Sequence, residues 1–284
     1  MVFTVRGRTV LVTGAGMGMG RLYAERAARE GAAAVVLWDV DARALEDVVT
    51  GLASSTAAVH SYVVDVASVE SIQAAASAVL NDVGVPDVLV NNAGIVRGKY
   101  FWKHDHLTDI DLTLRVNTGG PMHVTRSFLP AMMERGTPAR ILNVASASGT
   151  LSVPRMSVYA ASKWAVIGWS DSLRLELASA GHPIAVTTLI PSYIRTGMFE
   201  GARGPLLTPL MEPDYVVDKA WRALLAGKAR VQLPWTVQLA GTLRNLLPQP
   251  AWDVVADRVF RVYSSMDHFT GRPSGAPTHG KDDR

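Results

Sequence analysis

The chain has 284 residues, of which 48% are hydrophobic and 19% charged, with a formal net charge of +3. That balance supplies a large core and excludes a globally disordered chain. The charges are scattered, with no basic stripe interleaved with aromatics, so nucleic acid is not an expected partner. No cysteine is present, which rules out disulfides and thiolate metal sites. The length fits one large domain. The N-terminus runs straight into an apolar strand with no signal-like segment, and no apolar run reaches bilayer-spanning length. A cytoplasmic location is the expectation.

In chain order, Arg8 to Val12 reads as a short buried strand. Thr13-Gly14-Ala15-Gly16-Met17-Gly18-Met19-Gly20 follows, then a helical pattern through Leu22, Tyr23, Ala27 and Ala28 that stops at Gly31. A strand, a glycine-rich turn and a helix together form a cradle for a pyrophosphate at the helix N-terminus. The plainer reading is a turn that needs glycine for its geometry alone.

The second strand, Ala34 to Trp38, ends at Asp39. This acid lies about 20 residues beyond the turn, where a carboxylate hydrogen-bonds the ribose hydroxyls of NAD. It would repel a 2′-phosphate. Val40 and Met17 offer that phosphate no cation, and Arg43 is expected to face solvent on the next helix. NAD is therefore favoured over NADP. Alternatively, Asp39 caps the helix that begins near Ala42.

The alternation continues. Val59 to Val64 is a strand ending at Asp65-Val66, and Ser68 caps a helix that reaches Val83. Val88 to Val90 runs into Asn91-Asn92-Ala93-Gly94. A helix from about Asp105 carries Asn117 towards Glu134, with a bend expected at Pro121. Ile141 to Val144 is a strand ending at Ser146. A long helix holding Tyr159 and Lys163 extends to about Ala180, and Ile184 to Ile190 is a strand closed by Pro191. His104 and His106 flank Asp105, but no third ligand lies at useful spacing, so no metal site is expected. Trp164 and Trp169 read as packing or subunit contacts.

This β-α-β-α succession implies an α/β fold. The sheet is parallel and doubly wound in the Rossmann manner, with helices on both faces. Ligands bind beyond the carboxyl ends of such strands, where Thr13, Asp39, Asp65, Asn91, Ser146 and Pro191 all fall. Tyr159 and Lys163 are four residues apart, one helical turn on one face. A cation there favours the phenolate and lowers the tyrosine pKa, which suits a general acid–base.

Taken together, these motifs resemble those of the short-chain dehydrogenase/reductases over roughly residues 7 to 200. Thr13-Gly14-x-x-x-Gly18-x-Gly20 matches the family's cofactor turn, with Gly16, Met17 and Met19 inside it. Asn92, Ala93 and Gly94 match the strand-four motif, and Asp65 with Val66 the pair that contacts adenine. Asn117, Ser146, Tyr159 and Lys163 match the catalytic tetrad, Ser146 lying thirteen residues before Tyr159. Pro191, Ile194 and Thr196 match the segment that holds the nicotinamide amide, with Ser192 in place of its glycine.

The resemblance implies that Tyr159 exchanges the substrate proton and Ser146 binds the substrate oxygen. It also implies that Lys163 stabilises the phenolate and holds the nicotinamide ribose, while Asn117 orders a relay water. An oligomer, dimer or tetramer, built through the Asn117 and Tyr159 helices is implied as well. A non-catalytic dinucleotide-binding sensor or scaffold, or an NADP-dependent ketone reductase, is the alternative.

Beyond Thr196, Gly197 to Pro209 reads as a mobile substrate loop within about 195–212. Ser148, Met198, Phe199, Leu206 and Leu207 are its candidate substrate contacts, Ser148 alternatively a plain loop hydroxyl. Glu212 to Leu225 is a helix and Ala229 to Leu233 a strand. Two further helices, Trp235 to Leu247 and Ala251 to Met266, make a C-terminal extension spanning about 235–268. They resemble those of family members acting on steroids, retinoids and other lipophilic alcohols. They are expected to line a pocket or bury an interface, with weak membrane-surface association the third option. Residues 1–269 form the domain; 270–284 reads as a disordered tail. The implied reaction passes hydride between NAD(H) and a lipophilic secondary alcohol or ketone.

Overall fold

The computed structural model describes residues 3–206 and 208–271. Seven parallel strands form one sheet in the order β3-β2-β1-β4-β5-β6-β7. They are β1 Thr9–Thr13, β2 Ala34–Asp39, β3 Ala58–Val63, β4 Val88–Asn91, β5 Ala139–Val144, β6 Ile184–Pro191 and β7 Arg230–Leu233. The central strands are buried on both faces, which is why they read as continuous apolar runs. Val10, Val12, Val35 and Leu37 pack towards α1 (Gly18–Arg29), α2 (Ala42–Gly51) and α7 (Pro213–Leu225). Leu11, Val36, Leu89 and Ile141 pack on the opposite face. They meet α3 (Val69–Asp82), α5 (Gly120–Arg135) and α6 (Ser157–Ser179) there. Strand order reverses between β1 and β4, and a cleft opens beyond their carboxyl ends, as doubly wound sheets require.

Local chemistry sets the helix starts. Ser68 caps α3 by accepting from Ser71 N–H. Asp41 caps α2, accepting from the N–H groups of Arg43 and Ala44. Asp39 is thereby released from the capping role weighed for it.

The run from 106 to 135 is not the single helix expected. Widened π-type turns at His106–Asp111 and Arg115–Gly119 flank one α-turn, α4 (Leu112–Leu114), before α5 begins. Pro121 sits in the first positions of α5. It has no N–H to donate to the Asn117 carbonyl four residues back, and the register widens at that point.

In the extension, α8 (Trp235–Leu246) matches expectation. The second helix is shorter than the predicted span to Met266. It comprises α9 (Gln249–Val254) and widened turns to Val259. Arg261 then takes a positive φ of 54°, a left-handed conformation that ends a helix. Turns follow through His268. The lid at 197–209, read as mobile, is tied to this segment by main-chain hydrogen bonds. Arg203 N–H donates to Ser265 O, Leu206 N–H to Phe260 O, and Thr270 N–H to Glu200 O. Thr270 and Gly271 thus belong to the folded part; the rest of the predicted tail lies outside the described residues. Among the described residues no helix is long and apolar enough to cross a membrane.

Candidate active site

The glycine turn is shaped by close backbone approaches. Gly14 has a φ of 63°, and a Cβ on it would lie 2.8 Å from Ala93 Cα. The turn therefore packs directly on Asn92-Ala93-Gly94. Asn92 Nδ2 donates to the carbonyls of Thr13 and Gly14 at 3.1 Å each. The Thr13 hydroxyl accepts from the N–H groups of Asn92 and Ala93 at 3.1 Å. Met17, at the N-cap of α1, brings no side-chain oxygen to the helix start, an end suited to an anion. Asp39 closes the β2 end of the turn: Oδ2 accepts from Gly16 N–H at 2.8 Å and Oδ1 from Asp41 N–H at 3.1 Å.

From here a cleft of about 360 Å³ runs past Asp39 and Asp65, under Gly14 and Gly94, to Tyr159 and Lys163. Of the residues assigned above to the cofactor, Thr13, Gly16 and Gly20 do not line it and the others do; Gly16 instead holds Asp39. Val40, Val64, Ile95 and Val116 line it too and escaped the sequence reading. Val40 and Val64 adjoin the strand-end acids, and that adjacency was the available signal. An apolar slot, the carboxylates of Asp39, Asp41 and Asp65 and a glycine cradle that a Cβ would fill fit a dinucleotide.

The tetrad converges at the inner end. Ser146 follows β5 and begins a tight turn, accepting from Ser148 N–H at 3.2 Å. A Cβ on Gly149 would come 2.7 Å from Ile167 Cδ1 and 2.8 Å from the Lys163 carbonyl, so glycine lets this turn lie against α6. On α6, Tyr159 is 4% and Lys163 5% exposed. Lys163 Nζ donates to the Val144 carbonyl at 2.9 Å and lies 5.8 Å from the centre of the Tyr159 ring.

Asn117 bridges to Ile95. Its Oδ1 accepts from Ile95 N–H at 2.8 Å and its Nδ2 donates to Ile95 O at 2.9 Å. The same Nδ2 donates to Ser162 Oγ at 3.1 Å. A Cβ on Gly94 would sit 3.3 Å from Asn117 Oδ1 and 3.6 Å from Lys163 Nζ, so glycine keeps open the space these two groups share.

The electrostatics correct one expectation. Tyr159 is pushed up to about 12, not lowered. Burial is the largest cause; the Ser146 hydroxyl opposes it, and Tyr193 adds to it. Lys163 is pushed down to about 8 by burial. Both groups are out of water, and the ammonium is bonded to Val144 O rather than to the phenol, so burial sets the direction of each shift.

A second cavity, of about 50 Å³, meets the first at Ser146, Ser192 and Phe199. Ser148, Leu151, Val153 and Tyr193 form its wall on the catalytic side. Thr208, Thr236, Val237, Ala240, Phe260 and Val262 form the wall built by the lid and the extension. Of the predicted substrate contacts, Ser148 and Phe199 line this cavity. Phe199 stands edge-on to Tyr159 and Tyr193, with ring centres 5.9 and 5.3 Å away. Met198 instead lines the cofactor cleft, and Leu206 is 53% exposed, its N–H spent on Phe260 O. Leu207 lies outside the described residues. Tyr193 and the two threonines were missed.

The remaining candidates sit elsewhere. Among the described residues no His, Asp and Glu group is arranged to hold a metal. The His104 ring contacts the Lys99 carbonyl at 3.2 Å. Trp169 packs into the core, and Trp164 is half exposed beneath Arg244.

Comparison with known proteins points the same way. The family model described as short chain dehydrogenase matches residues 8–205. Epidermal retinol dehydrogenase 2 of Mus musculus is 35% identical over 94% of this chain and 87% of its own length. Estradiol 17-beta-dehydrogenase 11 of Homo sapiens is 34% identical over 87% of this chain and 81% of its own. Two solved structures are each 29% identical to it. A short chain dehydrogenase/reductase from Burkholderia phymatum in complex with NAD has a TM-score of 0.79, covering 86% of this chain and 95% of that one. A metagenomic short-chain oxidoreductase in complex with NADP has a TM-score of 0.68, covering 80% and 96%.

Proposed function

The chain belongs to the short chain dehydrogenase family, and on that premise we propose that it moves hydride between NAD(H) and a lipophilic secondary alcohol or ketone, with Tyr159 as general acid–base. One observation carries the reading: buried Ser146 stands where the cofactor cleft meets a largely apolar cavity, with buried Tyr159 in the cleft beside it. The apolar lining supports a lipophilic substrate, steroid-like or terpene-like. Asp39, its carboxylate held by Gly16 N–H, supports NAD over NADP, since a 2′-phosphate would meet that charge.

Bound NAD+ supplies the hydride acceptor at its nicotinamide C4. The chain supplies the rest. Ser146 donates a hydrogen bond to the substrate oxygen and stabilises charge developing there. Tyr159 takes the hydroxyl proton in oxidation and returns it in reduction. Bringing its proton affinity from about 12 to neutrality takes ~7 kcal/mol. Protonated Lys163 and the cofactor's positive charge act in that direction. Asn117, fixed to Ile95 and Ser162, keeps the space beside Lys163 Nζ in which a relay water fits. A cytoplasmic homodimer or homotetramer completes the proposal; sedimentation of the purified protein tests the assembly.

The deciding experiment is Tyr159→Phe. Turnover of secondary alcohols should be lost while NADH binding stays within about twofold. Near-normal activity would overturn the mechanism.

A further inference from the structure

The cavity beside Ser146 carries the hydroxyls of Ser146, Ser148, Ser192 and Tyr193 and, from the lid and the extension, one further hydroxyl pair. Thr208, in the lid, and Thr236, in the first turn of α8, place their Oγ1 atoms 3.2 Å apart. Thr208 is 9% and Thr236 5% exposed, and both line the cavity. Ser146 and Ser148 line the same cavity. Around them stand Pro205, Val237, Ala240, Phe260 and Val262. Each threonine hydroxyl has one proton and two lone pairs. A single bond between the two consumes one proton, whichever residue donates. The second proton has no hydrogen-bonded acceptor among the described residues. A buried donor left over is unfavourable until an acceptor arrives, and valine would fill the same volume without that cost. The residue choice therefore favours a ligand that brings an oxygen to this wall.

We infer that Thr208 and Thr236 read a second oxygen on the substrate, a hydroxyl or carbonyl remote from the carbon that Tyr159 and Ser146 act on. The substrate class narrows from a lipophilic alcohol to a bifunctional one: an apolar skeleton oxygenated at two separated positions. This rests on the proposed alcohol/ketone chemistry and deepens it. The threonines come from the lid and the extension, so the second oxygen would also hold the lid to α8. A site that hydrogen-bonds such an oxygen discriminates strongly against the analogue lacking it, because its own polar groups are then left unpaired.

The test uses the full chain with NAD+ and matched pairs of steroid, bicyclic terpene and aryl secondary alcohols. The members of a pair differ only in a second, remote hydroxyl or ketone. In at least one pair kcat/KM should favour the doubly oxygenated member tenfold or more. Thr236→Val and Thr208→Val should each bring that ratio near one by weakening the oxygenated member more than the other. Thr236→Ser should restore the preference. No preference in any pair, or a preference unmoved by both valine variants, would overturn the inference while leaving the alcohol chemistry intact. If no pair turns over, the proposed function fails separately. Binding of the same pairs to the NADH-loaded protein, followed by nicotinamide fluorescence, then decides: equal Kd values within every pair would overturn the threonine assignment.

Discussion

Replacing Lys163 with methionine should make the protein inactive and more stable at neutral pH. Lys163 is 5% exposed and its pKa falls from 10.5 to about 8. The folded pKa lies below the unfolded one, so between those values the unfolded chain binds the extra proton. Stability lost to burying the ammonium is thus fully felt below pH 8 and recovered as pH rises towards 10.5. At 1.36 kcal/mol per unit the cost at pH 7 is ~3 kcal/mol, and at pH 10 it is ~1 kcal/mol. Methionine has a similar reach and no charge, but it leaves the Val144 carbonyl without the 2.9 Å bond, a loss of ~1 kcal/mol. Lys163→Met should therefore gain ~2 kcal/mol at pH 7 and almost nothing at pH 10. Urea unfolding of both proteins at the two pH values measures it, and groups common to both cancel in the difference. A variant no more stable at pH 7, or equally advantaged at pH 10, would refute the claim that the catalytic cation is buried at a cost.

Asp39→Ala removes the acceptor for two backbone N–H groups. It should raise KM for NAD+ roughly 10- to 100-fold, as for lost bonds to a charged group, and narrow the preference over NADP+; unchanged NAD+ kinetics would count against the carboxylate. The pH profile should be directional: kcat/KM for alcohol oxidation climbs from pH 6 to 9 because raised Tyr159 must lose a proton, while ketone reduction, which needs the phenol protonated, does not climb. Gly98→Val would drive a Cβ into the Phe269 ring and to within 3.1 Å of Met266 Cε. Substrate KM should rise several-fold with NAD+ KM unchanged, since the displaced segment packs on the lid; equal rises in both would refute that division.

The cofactor half of the site was legible because its signals are local. A glycine turn lies between one strand and one helix, and Asp39 and Asp65 each sit where a strand ends. In a parallel sheet all such ends point to one edge, so one-dimensional order already places Gly14, Asp39, Asp65, Asn92 and Ser146 together. The substrate half lacked such a rule. Its wall joins Tyr193 and Thr208 to Thr236 and Val262 through main-chain bonds between the lid and residues 260–271. A backbone bond such as Arg203 to Ser265 leaves no mark on residue type, and a buried threonine reads like any other. The extension was misread for a related reason: the apolar pattern runs on past Val259, whereas the positive φ at Arg261 turns the chain back over the lid.

The spacing of Tyr159 and Lys163 gave proximity but not the sign of their effect on each other. Four residues on a helix bring two side chains to one face. What they do there depends on what else the face meets. Here it meets Asn117, whose Nδ2 donates to the Oγ of Ser162 on the same helix, and Val144, whose carbonyl takes the ammonium. Those partners come from β5 and from the π-type turn before α5, far away in sequence. The Val144 carbonyl holds Lys163 at the cleft rather than pairing it with the phenol. An ammonium spent on a salt-bridge-like contact with Tyr159 would have no N–H directed at a ribose hydroxyl. The raised tyrosine and depressed lysine are thus two consequences of one arrangement, in which the chain keeps the cation dry; in the proposed mechanism the lowering of the phenol falls to the positive charge the cofactor would bring.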